Sequence, residues 1–359
     1  MLSNKRFLDL VGVEIPIIQA PMVGPRGHLT ASVSAAGGLG SLACPALTPD
    51  QVLAEVAAIR QRTDKPFNLN FFCHVPEAPD AARESAWKQR LGSYYREFGL
   101  DPSAPISMAN REPFGDAMCA VVEKLRPRVV SFHFGLPDER LLKRVRNAGC
   151  LVFSSATTVA EARWLDERGV DAVIAQGAEA GGHRGMFLVR SVASQVGTFA
   201  LVPQVADAVR VPVIAAGAVA DARGLVAAFA LGASAVQIGT AYLLCPEAGI
   251  STPYLAALRA ARDEDTAMTN VFTGKPARGL MNRAMRELGP MNQEVPVFPT
   301  AAVALQPLRT AAEAHGSGDF SPLWSGQAAR LAREVGAADL TRQLWSEARQ
   351  AGAGSPTAP

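Results

Sequence analysis

Short apolar, β-branched runs ending in small or polar residues recur along the chain. They are IPIIQAPM (15–22), LGSLAC (39–44), FNLNFF (67–72), VVSFHFG (129–135), LVFSSAT (151–157), AVIAQG (172–177), PVIAAGAV (212–219) and AVQIGTAYL (235–243). None alternates cleanly between apolar and polar positions, as expected of parallel strands buried on both faces. Helical patterns lie between them. Thr48, with Pro49 at the first helical position and Gln51 three residues on, predicts a capping-box start to a helix with the apolar face Val52, Val56 and Ile59. Thr158 and Glu161 repeat the box, with Ala162 and Leu165 as the apolar stripe and Gly169 as the stop. Asp221 opens a third helix that carries Leu225, Val226 and Phe229 and ends near Gly232. Eight strands alternating with helices predict a (β/α)₈ TIM barrel; an open doubly wound sheet is the alternative.

Two stretches break the repeat. Residues 73–125 contain Pro76, Pro79, a charged helical pattern from Ala82 to Arg96 and a Pro-Ser-Ala-Pro stretch, and are expected to form an insertion after the third strand. Beyond Tyr242 the barrel is expected to be complete, giving a barrel over 1–243, a C-terminal helical cap over 244–350 and a disordered tail over 351–359.

Composition narrows the function classes. A net charge of +2, with no cluster of Lys and Arg, gives no reason to expect a nucleic-acid partner. The five scattered cysteines lack CxxC spacing and fit a reducing compartment better than a disulfide framework or zinc site. The sequence contains no long apolar run for a membrane span and no leader-like start, so the expected location is cytoplasmic. Monomer and homodimer are equally compatible with it. HExxH, Walker A, GxSxG and GxGxxG motifs are absent, and no two histidines have metal-ligand spacing on one helix.

In a barrel of this kind the chemistry gathers at the C-terminal strand ends. There the chain carries Gln19 to Met22, Asn70, His133, Gln176 to His183, Gly217, Ala218 and Gln237 to Thr240. AQGAEAGGHRG (175–185) is the most informative stretch, because Gly181 and Gly182 let backbone approach a ligand closely. They are expected to place His183 in a loop over the barrel mouth, with Arg184 adding positive charge beside it. A loop histidine that only caps a helix or bonds a carbonyl is the plainer account. Gly217, Ala218, Gly239 and Thr240, after strands seven and eight, are placed to cradle a phosphate through backbone N–H groups. His133, ending strand four, is either a pocket residue opposite His183 or a packed core histidine. His28, His74 and His315 are expected in loops or the cap, with His74 held in reserve as a site residue.

QAPM (19–22), NLNFF (68–72), VSFHFGLP (130–137), SSATTVAEARWL (154–165), AQGAEAGGHRG (175–185), IAAGAV (214–219) and QIGTAYL (237–243) together resemble the nitronate monooxygenase family, formerly 2-nitropropane dioxygenases. FTGKPARGLMN (272–282) and LWSGQAARL (323–331) resemble its C-terminal segments, so the likeness runs from about Leu10 to Arg330. The resemblance implies an FMN-dependent TIM barrel that oxidises alkyl nitronates with O₂ to a carbonyl compound and nitrite. It implies Ala20, Pro21 and Met22 beneath the flavin ring, Asn70 at its polar edge, and Gln176, Gly181 and Gly182 along the ribityl chain. Gly217, Ala218, Gln237, Ile238, Gly239 and Thr240 would complete the phosphate cradle. Ala218 stands where the family usually has a second glycine, which is tolerable unless φ is positive there. His183 matches the active-site histidine, a general base for neutral nitroalkanes or an anion-binding group for nitronates. His133 matches a second pocket position, and Phe298 replaces a common tyrosine. Related enoyl-acyl-carrier-protein and NADH:quinone reductases share the barrel and the AGGH-type stretch, so an NAD(P)H-dependent flavin reductase is the functional alternative.

Overall fold

A computed structural model describes residues 5–22, 24, 27–78, 80–102, 112–189 and 191–353. The expected tail beyond residue 353, Pro79 and most of the Pro-Ser-Ala-Pro stretch lie outside these residues. Eight parallel strands form the barrel: β1 (Ile17–Gln19), β2 (Gly40–Ala43), β3 (Phe67–Phe72), β4 (Val129–His133), β5 (Leu151–Ala156), β6 (Ala172–Gln176), β8 (Val213–Ala216) and β9 (Ala235–Ile238). A two-residue strand, β7 (Gly182–His183), lies outside it. The sheet runs β1-β9-β8-β6-β5-β4-β3-β2, and the Gln19 N–H to Leu39 C=O bond (3.0 Å) and Leu39 N–H to Ile17 C=O bond (2.9 Å) close it.

β3 alternates more strictly than the sequence reading allowed. In β3, Phe67, Leu69 and Phe71 pack outward under the helices, while Asn68 and Asn70 point into the barrel. There the Asn68 amide donates to Ser41 (3.1 Å) and Ser131 (2.8 Å), and the Asn70 amide donates to Ser131 (2.9 Å). Below this polar layer the N-terminal helix α1 (Lys5–Val11) plugs the bottom with Phe7 and Val11.

The outer ring comprises α2 (Gly27–Ala35), α3 (Pro49–Arg60), α6 (Asp116–Leu125), α7 (Glu139–Asn147), α8 (Val159–Glu167), α9 (Thr198–Ala208), α10 (Ala222–Ala230) and α15 (Ala337–Ala353). Helices α4 (Ala81–Arg90), α5 (Gly92–Glu97), α11 (Thr240–Leu243), α12 (Thr252–Ala260), α13 (Arg283–Leu288) and α14 (Ala301–Ala314) stand above the mouth or link to it. Thr48 and Gln51 make the full capping box of α3. On α8 only half of it forms. Thr158 accepts from the Glu161 N–H, but the Glu161 carboxylate turns inward to Thr157 and to the N–H groups of Phe187 and Leu188.

Several boundaries differ from the sequence expectation. His28 sits in α2 rather than a loop, and residues 240–243 are helix rather than strand. Within 73–125, α6 is a ring helix packed on α3 and α7, so only the part before it is inserted. The barrel is not complete at Tyr242, because α15 returns to fill the ring between α10 and α2 and includes Ala351 to Ala353. The cap also contains a hairpin, β10 (Thr266–Thr269) with β11 (Ala277–Leu280), whose second strand pairs with β7. Insertion and cap share one core: Trp87, Leu91 and Tyr95 pack with Phe272, Leu305 and Phe320. No helix among the described residues is long and apolar enough to cross a membrane.

Because Leu344 on α15 is fully buried in the main core, Leu344→Ala leaves a cavity in the ring seam. We expect it to lower unfolding free energy by about 3 kcal/mol, read from the midpoint of urea denaturation at unchanged slope.

Candidate active site

A cavity of about 410 Å³ opens at the C-terminal ends of the barrel strands, under the cap. Of the residues named from sequence, Ala20, Pro21, Met22, Asn70, His133, Gln176, Gly181, Gly182, His183, Gly217, Ala218, Gln237, Gly239 and Thr240 line it. Two do not. The Ile238 side chain packs outward into the core, and its carbonyl accepts from the Ala20 N–H (2.8 Å). Side chains of successive strand residues point to opposite faces, so Gln237 facing the cavity sends Ile238 away from it.

Arg184 is the other correction. His183 belongs to strand β7 rather than a loop, and the next side chain turns away from the mouth. Arg184 is fully buried and donates to the carbonyls of Gly177 (2.7 Å) and Gln176 (2.8 Å) and to Gln195 Oε1 (2.9 Å). Burial pushes its pKa down to about 10, helped by Arg278 and opposed by Glu179 and Glu161, so it stays charged at neutrality. Its side-chain hydrogen bonds go to protein oxygens, and the side chain does not line the cavity. The Gln176 side chain completes the clamp, donating to the His183 carbonyl (2.9 Å) and accepting from the Gly185 N–H (2.7 Å).

The His183 ring is held by the cap. Its Nε2 lies 2.9 Å from Thr273 Oγ1, in the turn between β10 and β11. Phe72, Phe134 and Phe298 stand edge-on to it at 5.9, 6.0 and 5.8 Å between ring centres, and Trp324 lies at 5.5 Å. Phe298 thus meets the histidine without a hydroxyl. The Lys275 ammonium lies over the Phe134 ring at 5.1 Å, and burial lowers its pKa.

His133 sits beside His183 rather than opposite it. Its Nε2 lies 3.1 Å from the His183 carbonyl, which can only accept, so Nε2 carries the proton. Nδ1 then accepts from the Ser155 hydroxyl at 2.6 Å. Burial pushes the His133 pKa down to about 4, opposed by the bond to the His183 carbonyl and aided by the charges of Arg184 and Lys275. Ser155, Thr273 and Trp324 carried no sequence assignment, although the last two fall in the C-terminal segments that carry the family likeness. His74 is buried against Phe298, at 4.8 Å between rings, and His315 is exposed at the end of α14.

The other end of the cavity has the character of an anion cradle. Gly217 (φ 125°) and Ala218 (φ 56°) both take positive φ, so the alanine occupies the left-handed region at a cost of about 1 kcal/mol. Among the described residues, the N–H groups of Ala218, Val219, Ala220 and Gly239 have no acceptor. Unpaired N–H groups converging in a tight turn are what an oxyanion satisfies. The Thr240 hydroxyl accepts from the Gly326 N–H (2.9 Å), which leaves its own hydrogen to donate. A Cβ built on Gly239 would meet Ala20 Cβ at 3.5 Å and Met22 Sδ at 3.8 Å, ordinary van der Waals contact, so the packing has room for one more carbon there. Between the two ends, Gln237 Oε1 is buried without a partner among the described residues.

The depressed His133 pKa ties stability to pH. The unfolded chain takes up a proton near pH 6.5 that the folded protein refuses until about pH 4, so stability is present above 6.5 and is lost as pH falls towards 4. Thermal unfolding followed from pH 7 to 4 should show this loss. In His133→Gln it should be smaller by on the order of 2 kcal/mol.

Comparison with known proteins agrees with this geometry. The family model described as nitronate monooxygenase matches residues 4–347. The nitronate monooxygenase of Pseudomonas aeruginosa is 43% identical over 352 residues, covering 96% of this chain and 99% of its own. That of Paraburkholderia phytofirmans is 42% identical, covering 97% and 96%. Among solved structures, a nitroalkane oxidase from Streptomyces ansochromogenes superposes with a TM-score of 0.87 at 38% identity, covering 96% of this chain and 98% of that one. FabK from Thermotoga maritima superposes at 0.72 with 28% identity, covering 96% of each chain. With a clamped histidine and an anion cradle lining one barrel-mouth cavity, and with likeness along nearly its whole length, the chain belongs to the nitronate monooxygenase family.

Proposed function

We propose that this chain oxidises alkyl nitronates with O₂ to carbonyl compounds and nitrite, using FMN held at the barrel mouth, with His183 as the polar group that meets the substrate. The observation that carries the reading is the pairing within one cavity of an aromatic-walled histidine and a cradle sized for a single phosphate. The residues fit FMN: among the described residues a cluster of unpaired N–H groups follows β8 and β9, and the sequence has no GxGxxG turn for a dinucleotide. Gly217, Ala218, Gln237, Gly239 and Thr240 would hold the phosphate, Gln176, Gly181 and Gly182 would run along the ribityl chain, and Ala20 to Met22 would meet the face of the ring. Asn70 would serve the ring's polar edge from β3. When bound, FMN supplies the electron-accepting and oxygen-activating chemistry.

The chain's own part is electrostatic and steric. Thr273 and the Arg184–Gln176 clamp fix the His183 ring and backbone before substrate arrives, so no reorganisation is needed when the nitronate docks. Phe72, Phe298 and Trp324 exclude water from the histidine and strengthen its interaction with an anion. For a neutral nitroalkane the same imidazole would take the α-proton.

Oxygen uptake with ethyl nitronate tests the reading, and rapid flavin bleaching by NADH without nitronate turnover would overturn it in favour of a reductase. The two roles of His183 separate in His183→Asn at full FMN content. A base predicts loss of nitroethane turnover with ethyl nitronate activity retained. An anion-binding group predicts a fall of about 10²-fold in kcat/KM on ethyl nitronate too. Unchanged rates on both forms would remove His183 from the mechanism.

Gly239→Val places two methyl groups in the space beside Ala20 and Met22. The variant should fold with a near wild-type melting temperature yet lose most of its FMN on gel filtration at low micromolar protein. Full retention of flavin would move the phosphate site elsewhere.

A further inference from the structure

Arg184 is one end of a longer arrangement whose other end is a buried anion. Glu161 on α8 is fully buried, and among the described residues no cation touches it. Four donors meet its carboxylate. The Thr157 N–H and hydroxyl bond Oε2, both at 2.7 Å, and the Phe187 and Leu188 N–H groups bond Oε1 at 2.7 and 3.0 Å. Between Arg184 and Glu161 the hydrogen bonds form one chain with a fixed direction. A guanidinium only donates, so the atom 2.9 Å from Arg184 Nε is the Gln195 oxygen. The Gln195 amide N–H then points to Thr157 Oγ1 (3.3 Å), which leaves the Thr157 hydroxyl hydrogen for Glu161. None of these four side chains lines the cavity.

We infer that Glu161 is a positioning residue for His183, serving as the remote counter-ion of Arg184 and as the anchor of the segment that follows the histidine. The inference rests on the functional reading above and deepens it. Residues 184–188 are held at both ends, by the Arg184 fork at one and by the Glu161 carboxylate at the other. Between these ends, Gly185 lies so close to the His133–Ser155 pair that a Cβ on it would meet Ser155 Oγ at 2.6 Å and His133 Cε1 at 2.8 Å. The Gly185 N–H also holds the Gln176 side chain. His133 Nε2 and Gln176 Nε2 are the two side-chain donors to the His183 carbonyl, so both rest against this segment. Releasing Glu161 slackens the backbone that carries the histidine. An amide in its place offers one acceptor oxygen to four donors and leaves buried N–H groups unmet.

The test uses the FMN-loaded full chain and three variants: Glu161→Gln, Gln195→Met and the double substitution. Flavin content, kcat/KM for oxygen uptake on ethyl nitronate, and the NMR signals of the histidine rings are measured for each, with the His183 signal assigned by its loss in His183→Asn. In Glu161→Gln we expect full flavin content and a loss of about tenfold or more in kcat/KM. Gln195→Met breaks the chain but leaves Glu161 its four donors, so its loss should be smaller, about fivefold. In both, the His183 signal should move while those of His28 and His315, on α2 and at the end of α14, stay in place. If the chain acts as one unit, the double variant is no worse than Glu161→Gln. A wild-type kcat/KM in Glu161→Gln overturns the inference. So does a loss with an unmoved His183 signal, or two losses that multiply in the double variant. Should Glu161→Gln not fold, Gln195→Met decides: wild-type rates overturn the inference, and a loss at full flavin content with a moved His183 signal upholds it. No turnover of any nitronate by the wild-type chain overturns the functional reading, and the NMR signals then decide alone whether Glu161 governs the histidine.

Discussion

A buried guanidinium with no carboxylate partner among the described residues organises the mouth of this barrel. Arg184 gives its donors to two carbonyls of the chain leaving β6 and to Gln195, while its own N–H reaches the Pro276 carbonyl of the cap hairpin. Desolvating a cation this deeply is costly, and only a backbone folded tightly around it repays the cost. The turn from Gln176 to Gly185 therefore has one arrangement, and both ends of the cavity inherit it. The flat five-donor fork suits this task and a lysine ammonium does not, because two adjacent carbonyls and a side-chain oxygen must be met at once.

The site is a joint product of barrel and cap. The barrel supplies the cradle, Gln237, Asn70 and His133; the cap supplies Thr273, Phe298 and Trp324. The seam is continuous, because β7 pairs with β11 and the insertion packs into the cap's core. A histidine from the barrel thus has its ring held by a residue ninety positions later in the chain.

Much of this was legible in the sequence, for reasons that differ from residue to residue. The bounds of β3 follow from FNLNFF because Phe67, Leu69 and Phe71 alternate with Asn68 and Asn70 at the period of a strand. Of the glycines before His183, Gly181 admits the backbone of Ser325 and Gly326 and Gly182 takes a φ of +74°. Arg184 and Ile238 were misplaced for a shared reason: their neighbours in sequence belong to the site, but extended backbone sends alternate side chains to opposite faces. Thr273, Trp324 and Ser155 were not assigned because a hydroxyl or an indole has no sequence signature of its own, and only the tertiary fold says what it faces. The end of the barrel was misjudged because α15 follows the cap in the chain but belongs to the ring in space.

That last feature bears on how the protein is made. On the ribosome, all eight barrel strands and seven of the eight ring helices emerge before α15 does. Until it arrives, the flanks of α10 and α2 that it covers stay open to solvent, and the whole cap must be synthesised in the meantime. The nascent chain therefore carries an unsealed apolar groove throughout synthesis of the cap, the kind of surface that chaperones hold and that drives premature association. Translation pauses within the cap would lengthen that exposure, whereas pauses earlier in the barrel would not.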